Sequence, residues 1–333
     1  MEHLIKQEQR IDQHIEQGQK ELAVELLYDL IITYAKAKDF SKAESLRERL
    51  IQVDSMALSE IVNSAEIIEE EKFETIDAQQ RGLWKQLYDA LTPEEGNAFY
   101  FAAKQLTLKP DQTIIKQGLL NDKLFFINKG SLRRIYRQGD EEYYVCQINM
   151  GETVGHDTYF SITLCTTSVI TINGVQLSYL DRPAIQKVGK QFPGFENKLR
   201  EFCFRSGEKI ADILRKKEIE RRRFERFKAS GKIITQLVDK NGEPVGEPFQ
   251  GHLEDICQGG VSYLIKCSQD SSARLLLGRP ALVKMTFPQE SDQPVVKSKG
   301  LIVAVKFQLF NDYKVHLRFP KLFTEDQISQ WSL

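Results

Sequence analysis

At 333 residues the chain exceeds what one hydrophobic core usually organises, so two or three domains are expected. With 41% hydrophobic and 28% charged residues it has the composition of an ordinary globular protein, which excludes a disordered or membrane-embedded chain. Lys plus Arg (46) nearly balances Asp plus Glu (47), so no global basic field draws the chain to nucleic acid or anionic lipid, and any polyanion must be held by a local cluster.

The opening residues MEHLIKQEQRIDQ contain no apolar run of the kind a signal peptide needs, and no later stretch approaches ~20 apolar residues, so a cytoplasmic location with no membrane partner is expected. Cys146, Cys165, Cys203, Cys257 and Cys267 are odd in number and scattered, which argues against a disulfide framework or a zinc site and for reduced, mostly buried thiols. The histidines are equally dispersed, and no metal or other cofactor is expected.

Residues 20–53 carry apolar positions at helical spacing, broken at Lys38-Asp39-Phe40, which predicts a helical hairpin. Ser41 and Glu44 have the spacing of a capping box for the second helix. The stretch YAKAKDFSKA resembles the turn of a tetratricopeptide-type repeat, but only one such unit is found and stacking needs about three. An isolated helix pair for oligomerisation, or for docking an unidentified protein partner, is the favoured expectation. Residues 55–90 read as a further helical connector, whose Glu69-Glu70-Glu71 run is expected on a solvated face. Thr92-Pro93-Glu94-Glu95 then supplies a start signal, with threonine at the N-cap and proline at the first helical position.

From 106 to 181 the pattern changes to short β-branched and aromatic segments at 113–115, 124–127, 132–136, 143–148, 168–172 and 175–180, which predicts an antiparallel barrel. A long helix over about 195–223 follows, a candidate homodimer contact. A second set of strands is expected at 233–238, 260–265, 281–287, 301–310 and 314–319, forming a separate β domain. The fold class expected is therefore multidomain α+β: a helical region at 1–90, a middle domain at 91–216 with flanking helices, and a C-terminal domain at 217–333.

The segment LTLKPDQTIIKQGLLNDKLFFINKG is similar to the opening strands of the cyclic-nucleotide-binding family, and the resemblance extends over about 91–216. It implies that Gly151-Glu152 stand where that family places the Gly-Glu of its phosphate cassette, the glutamate accepting from the ribose 2′-hydroxyl. It also implies an arginine to neutralise the cyclic phosphate, at a position that falls on or near Cys165. No arginine or lysine lies between Gly151 and Arg182. A buried phosphate left without its cation costs on the order of 2–5 kcal/mol, so a scaffold, or a pocket for another ligand, is expected in preference to a cyclic AMP sensor. Cys165 and Thr166 would offer only weak hydrogen bonds. Strand-rich sequence follows the long helix in place of a helix-turn-helix, so no DNA partner is expected.

Glu220-Arg221-Arg222-Arg223-Phe224-Glu225-Arg226 places Arg222 and Arg226 in an R-x-x-x-R spacing where the long helix meets the last domain. Guanidiniums are permanently charged, planar and able to donate paired hydrogen bonds to a phosphate or to the O6/N7 edge of guanine. Downstream, between predicted strands, comes Asp255-x-Cys257-x-x-Gly260. Together the two elements resemble the PilZ family, which binds cyclic di-GMP through R-x-x-x-R and [D/N]-x-S-x-x-G and folds as a six-stranded barrel. The resemblance implies that Arg222 and Arg226 answer the phosphates and an acceptor edge, with Arg221 and Arg223 as weaker contacts. It implies too that Asp255 accepts from guanine N1–H and N2–H, and that Gly260 allows a close turn. Cys257 stands where that family has serine, exchanging a hydroxyl for a weak S–H donor. The expected function is a non-catalytic cyclic di-GMP receptor that signals by interdomain rearrangement; the rivals are a cyclic AMP or dual-nucleotide sensor and a nucleotide-independent scaffold. No nucleophile elbow, P-loop or dinucleotide fingerprint is present to suggest an enzyme.

Overall fold

The computed structural model describes residues 2–205, 210–217, 219, 224–288, 295–308 and 311–332. In chain order the helices α1 (Glu2–Glu16), α2 (Lys20–Lys36), α3 (Phe40–Val53), α4 (Leu58–Thr75), α5 (Ala78–Leu83), α6 (Lys85–Tyr88) and α7 (Pro93–Ala102) come first. There follow β1 (Lys104–Leu108), β2 (Thr113–Ile115), β3 (Lys123–Lys129), β4 (Leu132–Gln138), β5 (Glu141–Ile148), β6 (Thr153–Val154), α8 (His156–Tyr159), β7 (Ile162–Thr163), β8 (Ser168–Thr171) and β9 (Val175–Asp181). Next are α9 (Arg182–Gln191), α10 (Phe195–Arg205), α11 (Ile210–Lys216), β10 (Phe227–Lys228), β11 (Lys232–Leu237), β12 (Phe249–Cys257) and β13 (Gly260–Lys266). The last elements are α12 (Asp270–Leu276), β14 (Pro280–Thr286), β15 (Val295–Phe307), β16 (Asp312–Arg318) and α13 (Glu325–Trp331). The chain divides into two compact units, Met1–Lys104 with Pro183–Phe202, and Gln105–Arg182 with Cys203–Leu333. Among the described residues no helix is long and apolar enough to cross a membrane.

In the helical unit, Leu27, Leu30 and Ile31 of α2 meet Ala43, Leu46 and Leu50 of α3 together with Ile11 of α1 and Ile68 of α4, all essentially solvent-free. The expected hairpin is present, with α1 packed beside it. Its second helix is capped by Asp39, whose carboxylate accepts from the Lys42 amide, and not by the Ser41–Glu44 box. The chain is already helical at Phe40, so Ser41 lies too far inside to reach an orphan amide. Thr92 does form its capping box, reciprocally with Glu95. The acidic run departs from a merely solvated face: Glu69 pairs with Lys72 at 2.8 Å and accepts from Asn97 Nδ2, while Glu71 pairs with Lys38 at 2.5 Å.

The second unit begins with two four-stranded sheets in the orders β1-β9-β3-β6 and β2-β8-β4-β5. This is a sandwich in place of the single barrel expected from the strand spacing. The switch between sheets occurs at Gly130, between β3 and β4. Its φ of +87° and a notional Cβ only 2.5 Å from the Gly174 carbonyl leave room for glycine alone.

After α11 the pairings run β12-β11-β14-β15-β16-β13 and return from β13 to β12, a closed antiparallel cycle of six strands. Inside it lie Ile233, Tyr263, Met285, Val315 and Leu317, with Trp331 of α13 stacked on Phe287 at 5.4 Å. The Tyr263 hydroxyl, wholly buried, accepts a 3.0 Å hydrogen bond from Thr235. One further strand joins from the sandwich: β7 pairs antiparallel with β15, Ile162 opposite Val305 and Thr163 opposite Ala304. The next residue continues the join, the Leu164 amide donating to the Val303 carbonyl at 3.0 Å.

Candidate functional site

Arg226 is placed by main-chain pairing. It directly precedes β10, whose Phe227 and Lys228 lie opposite Ile256 and Asp255 of β12. Its guanidinium Nη1 donates to Asp255 Oδ1 at 3.0 Å and approaches His316 Nδ1 at 3.4 Å. Phe224 lies over the tight turn between β12 and β13, its ring 3.0 Å from where a Cβ on Gly259 would stand.

Asp255 is a strand residue, not the loop or turn residue expected. β12 carries a bulge between Leu253 and Asp255. Successive strand residues ordinarily point to opposite faces, but a bulge re-aims one of them. Here it lets Glu254 and Asp255 both reach Lys314 of β16, at 2.6 and 3.0 Å. Burial alone would push the Asp255 carboxyl up, but the Ser262 hydroxyl, Lys314 and Arg226 outweigh it and hold it below the usual range. His316 moves the other way from the same neighbourhood. Burial, then the cations Arg226, Lys306 and Lys314, press its pKa down to about 4, so the ring is neutral near pH 7.

Beside this group opens a cavity of about 1310 Å³. Ordinary small-molecule sites run to ~300–1,000 Å³, so there is room for a ligand of dinucleotide size. Among the described residues six cations line it, Lys116, Arg137, Arg215, Arg226, Lys306 and Arg318, and no carboxylate does. Arg137, Arg215 and Arg226 have acidic partners in Glu142, Asp212 and Asp255. Lys116 and Arg318 make no ion pair among the described residues. A concave surface carrying one sign of charge focuses its field and collects counter-ions.

The sequence-derived residues fall into four groups. Arg226 and Asp255 are brought together, Arg226 lining the cavity and Asp255 standing behind it, and Cys165 and Thr166 line the same cavity as Arg226. Arg221, Arg222 and Arg223 lie outside the described residues. Cys257 and Gly260 face each other across the β12–β13 turn, and neither lines the cavity. Gly260 is required by packing: a Cβ there would stand 2.5 Å from the Leu317 carbonyl of strand β16. Gly151 and Glu152 occupy the turn between β5 and β6. The exposed Glu152 carboxylate accepts from the amide of Asn149 in its own turn through Oε2.

One buried cation went unrecognised in the sequence. Arg134 of β4, 6% exposed, donates to Thr167 at 3.3 Å and lies 3.7 Å from Asp157 of α8. It also lies within electrostatic reach of Cys165, whose thiol is pushed up to about 11 by burial. The only signal was a charged residue among the apolar residues of a predicted strand, which periodicity cannot distinguish from an outward-facing position.

Residues 105–192 match the family model described as cyclic nucleotide-binding domain. Within these limits the sandwich is a cyclic nucleotide-binding domain. No curated protein sequence matches the chain. Among solved structures, cAMP-bound PfPKA-R (141–441) shares 14% identity over 46% of this chain and 50% of that one, TM-score 0.36. The N-terminal domain of a transcriptional regulator from Streptomyces coelicolor A3(2) shares 19% over 40% and 94%, TM-score 0.33. The guanosine-bound regulatory subunit of a cAMP-independent protein kinase A from Trypanosoma cruzi shares 19% over 40% and 50%, TM-score 0.32. The chain spans half the length of the first and third of these.

Proposed function

We propose that this chain is a cyclic di-GMP receptor whose C-terminal six-strand cycle is a PilZ-type barrel. In this reading the dinucleotide occupies the basic cavity, with Arg226 on a phosphate or on guanine O6/N7 and Asp255 on the guanine N1–H and N2–H. The observation that carries the reading is the 3.0 Å contact between Arg226 and Asp255 at the edge of a six-cation cavity. An arginine and a carboxylate held side by side match the acceptor edge and donor edge of one guanine, while the remaining cations match two phosphates. Arg222, four residues before Arg226, belongs to the same proposed site. Charge-assisted hydrogen bonds contribute ~1.5–3 kcal/mol each and micromolar binding needs ~8, so several cations must act together.

Signalling would follow from differential binding. A ligand that draws on Arg226 changes how the 224–228 segment is held, and the population of chain arrangements shifts with it. The N-terminal helices are the proposed surface for a protein partner, and the segment around 195–223 for a second copy of the chain. The test is calorimetric titration of cyclic di-GMP into the full chain and into an Arg222→Ala, Arg226→Ala double variant. Saturable heat in the first and none in the second supports the site, and equal heats from the two remove it.

A second reading is favoured by the family match over 105–192: a cyclic mononucleotide in the sandwich, with Arg134 as its buried cation. Asp157 already occupies part of that guanidinium's field at 3.7 Å. Titration of cyclic AMP into the full chain and into Arg134→Met separates this from the first reading.

A further inference from the structure

The sequence motifs supply cations from the C-terminal cycle only, yet the cavity has a second wall. We infer that the sandwich completes the site, with Lys116 and Arg137 taking the phosphate that Arg226 does not reach, so that one dianionic dinucleotide is held by both β structures. This rests on the cyclic di-GMP reading and adds to it residues that neither motif contains.

The sandwich wall is knitted from three segments. Lys116, just after β2, is followed by Gln117, whose side-chain amide donates to the Arg137 carbonyl at 2.9 Å and accepts from the Arg137 amide at 2.8 Å. That two-way bond fixes the Lys116 backbone to the end of β4. The Gln117 amide itself donates to Ser168 Oγ at 2.9 Å, at the start of β8. Gly118 N donates to the Cys165 carbonyl at 2.7 Å, and Cys165 N returns a bond to the Leu119 carbonyl at 2.9 Å. Thr166, also on the cavity wall, is thereby held between anchored neighbours. From the same segment β7 and Leu164 run into the β15 pairing, so the wall is continuous with the strand that carries Val303, Ala304 and Lys306.

Electrostatics gives this wall a purpose that packing does not. Lys116 is exposed, lines the cavity and has no carboxylate partner among the described residues. Arg137 is engaged by Glu142 on one side at 2.7 Å, with its side chain 60% exposed. Gathering like charges around one concavity is unfavourable without an anion, and the pre-ordered backbone means little further ordering is required when one arrives. The cassette position that lacks its family arginine lies on this same wall at Cys165. In this chain the cation comes from the strands beside it instead of from the cassette.

The experiment uses the full chain with cyclic di-GMP as the probe, and GMP as a single-phosphate comparison, at two salt concentrations. For Lys116→Ala, Arg137→Ala the expected result is a loss of at least about tenfold in cyclic di-GMP affinity with a shallower salt dependence. GMP binding, which needs one phosphate pocket, changes by less. Lys116→Arg, Arg137→Lys retains the charges and should keep most of the affinity, which guards against a folding artefact. Unchanged affinity and salt dependence in the alanine variant overturns the inference while leaving Arg226 and the receptor reading intact. Absence of cyclic di-GMP binding by the unmodified chain overturns the receptor reading itself, and this inference with it.

Discussion

Arg226 and Asp255 stand 29 positions apart in sequence and 3.0 Å apart in space, joined because β10 lies antiparallel to β12. Arg226 is 36% exposed and Asp255 19%, so the pair sits at a solvent boundary and its net worth to folding is small, ~0–1 kcal/mol. Arg226→Ala should therefore change unfolding stability by less than about 1 kcal/mol while lowering cyclic di-GMP affinity at least about tenfold. Asp255→Asn should lower affinity as well, since an amide cannot accept from guanine N1–H and N2–H with both of its polar atoms. A double-mutant cycle read by calorimetry checks this. Fully additive losses would mean that the two side chains do not share one ligand group.

A pH effect follows from His316. Its folded-state pKa of about 4 lies below the ordinary value of 6.5, so the unfolded chain takes up this proton first. Stability from this group is intact above the ordinary value and falls as pH drops from about 6.5 toward 4. Asp255, also held low, loses its contribution at lower pH still, below the ordinary carboxylate range. Urea midpoints for the wild type should decline between pH 6.5 and 4, and His316→Gln should flatten that part of the profile. An anion placed against Arg226 and Lys306 relieves the field on His316 and raises its pKa. Ligand titration near pH 5 should then show proton uptake, seen as a heat that depends on the buffer's ionisation enthalpy and is absent in His316→Gln.

Gly260 separates a packing role from a ligand role. A methyl group at this position meets the Leu317 carbonyl at 2.5 Å, and backbone in a paired strand cannot retreat easily. Gly260→Ala should cost ~1–3 kcal/mol of stability, measured by chemical unfolding. The folded fraction should bind cyclic di-GMP close to the wild-type affinity, because Gly260 does not line the cavity. Lost affinity at unchanged stability would return this glycine to the binding site.

How much of this was legible in the sequence depended on the range of the interactions. Strands with unbroken apolar or alternating patterns, such as those at 124–127 and 281–287, stand within two residues of their expected ends. β12 was missed because Gly251, Glu254 and Asp255 gave it the look of a loop, although its bulge is the device that aims both carboxylates at Lys314. β7 is two residues long and exists only by its pairing with β15, so no local pattern could announce it. The Arg226–Asp255 pair was inferable from two motifs read together. Lys116, Arg137, Lys306 and Arg318 were not, since only the folded chain gathers them around one cavity.

The join between β7 and β15 provides the last test. The Leu164 amide donates to Val303, and Ile162 and Thr163 pair with Val305 and Ala304, so the cassette segment serves as an extra strand on the C-terminal cycle. Leu164→Pro removes that donor and should free the segment, whereas Leu164→Val keeps the amide and most of the buried apolar volume. Hydrogen exchange at residues 162–165 should be slow in the wild type and in Leu164→Val, and fast in Leu164→Pro. Cyclic di-GMP should slow it further in the wild type, because both walls of the cavity are then tied to one ligand. In Leu164→Pro affinity should fall, since the segment carrying Cys165 and Thr166 is then tied to the sandwich wall alone and no longer to the strand that carries Lys306. Retained affinity with fast exchange would show that the joined strand is a packing feature of the unit and no part of the binding apparatus.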